Sequence, residues 1–397
     1  VKRAILFVDD EPNVIDGLRR MLRNMRDRWE MYFAGSGEEA LKILETTPID
    51  VIVADMRMPQ MDGATLLARV QERYPHVVRI MLTGHSDKEM TLRSTKSAHQ
   101  FLAKPCDGET LRYTIERTCQ LRELLRDKKL LQVVTGITVL PSLPSLYREL
   151  IREMEAPDAS LKKIGEIVAQ DMAMTAKVLQ LVNSAFFGLP QRVTNPVQAV
   201  TLLGLNNLKP LVLYIHLFEA FETTPGSGRV IEALWEHSVA VGSLAREIAR
   251  LEKADREVTD EALTAGLLHD IGKLLLLRLP DCCEKLKGLA DREGDWSPTD
   301  EYALIGTSHA ELGAYLLGLW GIADTVVEAV AFHHQPGNSV ADRFTVLTAV
   351  HVANGLVKEG DCSLQTVDLD YLRRLGLEQK VTRWAELCRE IKGGQAR

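Results

Sequence analysis

The chain has 397 residues, enough for two or three domains, with 46% hydrophobic and 26% charged residues, ordinary values for globular protein. A formal net charge of −7 gives no reason to expect non-specific nucleic-acid binding. No apolar stretch reaches the roughly 18 residues that a bilayer span needs, so no membrane association is expected. The sequence runs straight into a strand pattern with no signal-peptide character. The six cysteines show no CxxC spacing, and Cys282 and Cys283 are adjacent; reduced thiols in a cytoplasmic protein are expected.

Residues 1–125 alternate strand-like and helix-like patterns. Apolar runs at Ala4–Val8, Met31–Ala34, Val51–Ala54, Arg79–Leu82 and Gln100–Ala103 read as strands, with amphipathic stretches such as Glu38–Leu44 and Gly63–Tyr74 between them. This is a βα repeat around a buried parallel sheet, a doubly wound α/β domain of flavodoxin-like type. Chemistry in such sheets sits beyond the carboxyl ends of the strands. Asp9, Asp10, Asp55, Thr83 and Lys104 all fall there and are expected to converge. Three clustered carboxylates need a cation, and hard oxygen ligands with room for water suit Mg²⁺. A metal-supported Asp can act as nucleophile toward a phosphoryl group, with the ion and a Lys neutralising the developing charge. Taken singly, each carboxylate would serve as a helix cap; five aligned positions point to a site.

Val8-Asp9-Asp10-Glu11, Asp55-Met56-Arg57-Met58-Pro59, Leu82-Thr83-Gly84 and Lys104-Pro105 resemble the response-regulator receiver domain. The resemblance implies that Asp55 accepts a phosphoryl group from a sensor histidine kinase or phosphotransfer protein, with Thr83 and Lys104 at the phosphate. It implies Mg²⁺ on Asp10, Asp55 and the Arg57 carbonyl, with Asp9 nearby through water. It places Phe101 as the switch aromatic, three residues before the Lys.

Glu109–Val134 contains no Gly or Pro and reads as the last receiver helix running on as a linker, taken as 109–135. Leu111, Ile115, Thr118, Leu121 and Leu125 follow a 3–4 spacing that would seam two copies into a homodimer, although Lys128 and Lys129 interrupt it. A single helix packing on its own domain is the alternative. Gly136 and the Pro141-Ser142-Leu143-Pro144 turn mark a boundary near 130–136. Beyond it the pattern is helical: Leu161–Val168, Ala173–Val182, Pro196–Leu203, Ile231–Leu251, Glu261–Leu277, Ser308–Leu319 and Val326–His333. An all-α output domain over 136–360 is expected, followed by an extension, 361–397, of no assigned role.

Seven of the ten histidines lie between His216 and His351. A single His in a helical domain is usually a satisfied hydrogen-bonding group. A His269-Asp270 pair within an apolar helix is harder to place, because burying an unpaired charge is costly. Imidazole and carboxylate suit first-row divalent metals, which activate water and clamp phosphate; Lys273, one turn on, would bind phosphate or remain solvated.

Leu181–Gly188, Ala199–Gly204, Leu268-His269-Asp270-Ile271-Gly272-Lys273, His309–Ala314, Trp320 and Phe332-His333-His334 resemble the HD superfamily of metal-dependent phosphohydrolases, and its HDOD branch more closely. The implied ligand set for Fe, Mn, Zn or Ni is His237, His269, Asp270, His309, His333 and His334. Asn354 stands where the superfamily places an Asp; a neutral amide supplies neither charge nor a base. The Gly-Tyr-Pro motif of the cyclic-di-GMP phosphodiesterase branch is absent after His334.

These readings describe a cytoplasmic two-component response regulator, phosphorylated on Asp55, whose HDOD domain acts on an unidentified partner protein. No helix-turn-helix or basic recognition helix follows the receiver, so direct DNA binding is not expected. One alternative is a receiver-controlled metal-dependent phosphohydrolase acting on a nucleotide or phosphodiester. The other is a constitutive scaffold with a silent receiver, which the intact Asp55, Thr83 and Lys104 oppose.

Overall fold

The computed structural model describes residues 2–84, 97–121, 130–131, 134–135, 137, 141–142, 144–156, 158–183, 192–205, 208, 219–220, 228–276, 298–358, 362 and 364–395. Leu125, Lys128, Lys129, Gly136, His216 and the Cys282-Cys283 pair lie outside them. The chain divides into two compact units, one built on residues 1–139 and one on the bulk of 140–397.

The first unit is a five-stranded parallel sheet of order β2-β1-β3-β4-β5. Its strands are β1 (Arg3–Val8), β2 (Trp29–Ala34), β3 (Val51–Asp55), β4 (Val78–Thr83) and β5 (Gln100–Ala103). Helices α1 (Pro12–Met21), α2 (Gly37–Thr46), α3 (Gly63–Arg73) and α4 (Gly108–Leu121) alternate with them, as the βα reading expects. Apolar runs in β1, β3 and β4 are buried almost throughout, which is why they do not alternate with polar residues. Local chemistry fixes the turns. Ser36 caps α2 by accepting the Glu39 N–H, and Asp62 caps α3 by accepting the Thr65 N–H at 2.7 Å.

Arg79, which the apolar pattern treats as one more strand residue, is fully buried in β4. Its guanidinium donates to the carbonyls of Ser97 (2.6 Å), Val77 (3.0 Å) and Thr135 (3.2 Å), and lies 2.9 Å from His99 Nε2. A buried charge is tolerable when its donors are met in this way. The Leu111, Ile115 and Thr118 side chains, expected to seam two copies, are 0% exposed within one chain. That stripe packs inward, and a seam would need it at the surface.

The second unit is largely helical: α5 (Pro144–Glu155), α6 (Leu161–Val168), α7 (Met172–Val182), α8 (Pro196–Leu203), α9 (Gly228–Leu251), α10 (Arg256–Leu268), α11 (Ile271–Leu276), α12 (Pro298–Ile305), α13 (His309–Leu319), α14 (Asp324–Phe332), α15 (Val346–Lys358), α16 (Leu369–Arg374) and α17 (Val381–Gln395). Three features depart from expectation. Pro141–Ser142 and Glu219–Ala220 pair as a short parallel ribbon, too brief for a period-two signal to reveal. The stretch read as one helix over Glu261–Leu277 breaks at His269-Asp270, between α10 and α11. Cys362 and Cys388 form a disulfide with a Cα–Cα distance of 6.2 Å, tying α17 to the segment after α15. Spacing along the chain tests only local pairs, and these cysteines stand 26 residues apart.

Around the break, α9, α10, α14 and α15 pack on one another. The extension beyond residue 360 is part of this unit. Trp384, 0% exposed, donates its indole N–H to Glu252, the residue just after α9, which Lys380 also pairs. Tyr371 shares a 2.8 Å hydrogen bond with Thr348 of α15.

Candidate functional site

The carboxyl ends of β1, β3, β4 and β5 bring Asp9, Asp55, Thr83 and Lys104 into one crevice, as the strand-end argument expects. Lys104 Nζ lies 2.7 Å from Asp9 Oδ2 and 2.5 Å from Asp55 Oδ1. Asp55 Oδ2 accepts the Arg57 N–H at 3.1 Å, and Asp9 Oδ1 accepts the Glu11 N–H at 3.0 Å. Asp10 follows at the same strand end, half-buried, and Thr83 is buried at the end of β4. Burial pushes the Asp55 carboxyl above its ordinary value and Asp9 adds to this, while Lys104 pulls it back. Burial alone would lower the Lys104 ammonium, but two carboxylates outweigh it and hold it above the usual lysine range. Phe101, the expected switch aromatic, is buried in the sheet's hydrophobic core.

Gly63 is the residue the motif reading passed over. A Cβ there would stand 2.1 Å from the Asp55 carbonyl oxygen, so only glycine lets the start of α3 lie against the end of β3. Its position just after an Asp N-cap was the available signal.

The histidines of the second unit converge on Asp270. His269 and His333 each follow the last residue of a helix, α10 and α14. Each donates Nδ1–H to the carbonyl three residues back, Gly266 at 2.7 Å and Val330 at 2.8 Å. These bonds meet carbonyls that a helix end leaves unpaired, and they fix the tautomer with a bare Nε2. His309, first residue of α13, donates both its backbone N–H and Nδ1–H to the buried carboxylate of Glu301, at 2.7–2.8 Å. Gly272 permits the convergence: a Cβ there would stand 1.9 Å from the His309 carbonyl oxygen.

Nε2 of His309 lies 3.4 Å from that of His333 and 3.2 Å from that of His334. Asp270 Oδ1 is 3.1 Å from His309 Nε2, yet neither it nor His269 Nε2 finds a hydrogen-bond partner among the described residues. Asp270 Oδ2 takes the Lys273 ammonium at 2.8 Å and lies 3.4 Å from His269 Nε2. His237 Nε2 faces Asn354 Oδ1 at 2.9 Å.

Burial holds His269 down at about 4 and His334 at about 2, and holds His333 well below the imidazole range. Burial presses on His309 too, but Asp270 and Glu301 together raise it. Asp270 is kept well below the carboxylate range: burial opposes this, and His269 and Lys273 override it. Mostly neutral imidazoles aiming Nε2 atoms at a charged carboxylate are a donor set that could hold a transition metal. Two groups lie within metal-binding reach: Asp270, His309, His333 and His334, and His237, His269 and Asp270. The five histidines of the ligand set implied by the resemblance, His237, His269, His309, His333 and His334, are therefore brought together around Asp270.

Glu301 was missed, because nothing in the sequence separates it from any acid in the first turn of a helix. His351 enters the sequence reading only as the last of the clustered histidines. It donates Nδ1–H to the His333 carbonyl at 2.8 Å and accepts the Asp368 N–H at 2.8 Å, supporting His333 from behind.

Comparison with known proteins agrees with the two-part architecture. A response regulator receiver domain model matches residues 5–116 and an HDOD domain model matches 140–336. The chain therefore belongs to the response regulators in which a receiver domain is joined to an HDOD domain. It is 26% identical over 234 residues to an uncharacterized protein of Treponema pallidum (strain Nichols), covering 57% of this chain and 44% of that one. It is 33% identical over 129 residues to the hydrogenase transcriptional regulatory protein HoxA of Bradyrhizobium diazoefficiens, covering 32% of this chain and 26% of that one. The chain thus spans less than half the length of these relatives. The MmoQ response regulator of Methylococcus capsulatus str. Bath matches 62% of this chain and 98% of its own, at 21% identity and a TM-score of 0.49. A receiver domain implies a kinase or phosphotransfer partner in general. Among the described residues no helix is long and apolar enough to cross a membrane.

Proposed function

We propose that the chain is a phosphorylation-controlled regulator in which Asp55 takes a phosphoryl group from a phosphohistidine of a kinase or phosphotransfer protein. The P–N bond of the donor breaks as a bond to an Asp55 oxygen forms. The observation that supports this reading most is Lys104 bridging Asp9 and Asp55, which leaves an ammonium beside the reacting carboxylate. Asp10, Asp55 and the Arg57 carbonyl would hold Mg²⁺, with Asp9 adjacent; the ion supplies charge neutralisation at the phosphoryl oxygens. Thr83 would bond the attached phosphate, and Phe101 would report it toward α4 and the linker. The HDOD domain then engages a partner protein in the cytoplasm. Incubation with a small phosphodonor and Mg²⁺ tests the first step: the wild type should become labelled and Asp55→Asn should not. Labelling of the variant, or none of the wild type, would overturn it.

A second activity of the output domain is favoured by the orphaned Asp270 Oδ1 and His269 Nε2. These residues fit a divalent transition metal, held through Asp270 and the imidazole Nε2 atoms. When bound, the metal would supply Lewis-acid activation for phosphodiester or nucleotide hydrolysis. Glu301 would orient His309, and Lys273 would hold Asp270 ionised or meet a substrate phosphate. Elemental analysis of wild type beside His309→Ala, which should lose the ion, followed by a screen of phosphodiester substrates, tests this reading.

A further inference from the structure

Resting on that reading of the histidine cluster, we propose that the site holds one divalent cation, on Asp270, His309, His333 and His334, and that Asn354 closes the neighbouring half. The two groups of donors share Asp270, but its two oxygens are not equivalent. Oδ2 already receives the Lys273 ammonium at 2.8 Å, so a cation against it would sit beside a fixed positive charge. Oδ1 accepts no hydrogen bond and faces the Nε2 atoms of His309 and His333.

The histidines differ in the same way. On the Oδ1 side, Nδ1 of His309 and of His333 is tied to an acceptor, leaving Nε2 turned inward, and His334 Nε2 lies 3.2 Å from that of His309. Three imidazoles and one carboxylate make a complete four-donor set. On the Oδ2 side, His237 Nε2 is spent on the Asn354 amide at 2.9 Å. An amide oxygen only accepts, so the imidazole proton sits on Nε2 and occupies the lone pair a metal would take. Were the amide turned about, its NH₂ would donate to that same lone pair. The amide also brings no charge to offset Lys273. That leaves His269 Nε2 as the bare nitrogen of this half, with an Asp270 oxygen already engaged.

The test counts ions in full-length protein, stripped with chelator, loaded with Zn²⁺ and freed of excess. Elemental analysis should find one Zn²⁺ per chain in the wild type and none in His334→Gln. His237→Gln should keep one ion with unchanged affinity in a calorimetric titration. Asn354→Asp, nearly isosteric, should take two, because the carboxylate supplies the charge that offsets Lys273 and lets a cation shared with His269 displace the His237 proton. Two ions in the wild type, loss of the ion in His237→Gln, or a single ion in Asn354→Asp would each overturn the inference. Absence of Zn²⁺ from every protein, with circular dichroism showing all of them folded, would overturn the metal reading beneath it. That result is told apart because no variant then holds an ion to count.

Discussion

The acidic crevice and the histidine cluster solve the same electrostatic problem in opposite ways. In the crevice, carboxylates gather at the mouth of a sheet and a lysine with a side chain 28% exposed lies between two of them. In the cluster, Asp270, His269, His309 and His333 are essentially inaccessible, and neutrality comes from burial forcing protons off most of the rings. A crevice with buried carboxylates but a partly exposed lysine at its mouth suits a carboxylate that must meet a donor protein. A closed one suits ligands whose bare nitrogens would otherwise be solvated and mobile. The two should therefore fail independently. Asp55→Asn should abolish labelling by a phosphodonor while leaving Zn²⁺ content unchanged, and His309→Ala should do the reverse. Labelling and elemental analysis of both variants measure this, and a loss of both properties in either one would break the comparison.

The two sites were also unequally legible in the sequence. Asp9, Asp10, Asp55, Thr83 and Lys104 each end a buried strand, and a parallel sheet sends every strand end to the same edge. Topology alone therefore gathers them. No such rule brings His237, His309 and His333 together. They lie on, or just past the end of, three different helices, and helix periodicity says which face is apolar but not which helix it meets. Their grouping rested on resemblance. The supports lay further out of reach: Glu301 looks like any acid at a helix start, and His351 acts through a carbonyl. Arg79 sits in an apolar run and reads as strand, which is correct, but its buried hydrogen bonds depend on Ser97 and Thr135, distant in sequence.

Burial of neutral histidines gives the cluster a pH signature of its own. His269 titrates at about 4 in the folded chain against an ordinary 6.5. The unfolded chain thus binds a proton near pH 6.5 that the folded chain refuses until about pH 4. The stabilisation is complete above pH 6.5 and is lost as pH falls, by about 3 kcal/mol at pH 4 from His269 alone. His333 and His334 act in the same direction; His309, raised, opposes them. Denaturant titrations of metal-free protein from pH 7 to pH 4 should show this loss, and His269→Gln should flatten the curve. A wild-type curve already flat over that range would remove the argument that the rings are neutral.

A smaller effect isolates orientation from ligation. Glu301→Gln keeps an acceptor near His309 Nδ1 but removes the charge that fixes the ring and raises its basicity. Zn²⁺ affinity, measured by competition with a chelator, should fall by about 10- to 100-fold without a change in stoichiometry. An unchanged affinity would mean that the Asp270 side alone sets the geometry.

The smallest expected effect tests whether the extension beyond residue 360 belongs to the cluster's frame. Its Asp368 N–H donates to His351, which in turn holds the His333 carbonyl, and its Tyr371 hydroxyl meets Thr348 one turn before His351 on α15. Tyr371 is 2% exposed. Tyr371→Phe removes one buried hydrogen bond without opening a cavity, and Thr348 keeps a second contact with the Thr345 N–H. The loss in unfolding free energy should therefore be modest, about 1 kcal/mol. The ion count should not change, because the Asp368–His351–His333 path is left intact. Pairing this variant with His351→Leu separates the two roles: both destabilise, but only the second cuts the path to His333 and should weaken Zn²⁺ binding. Equal weakening in both would make the extension a direct support of the ligands through α15 as a whole, rather than through the single imidazole.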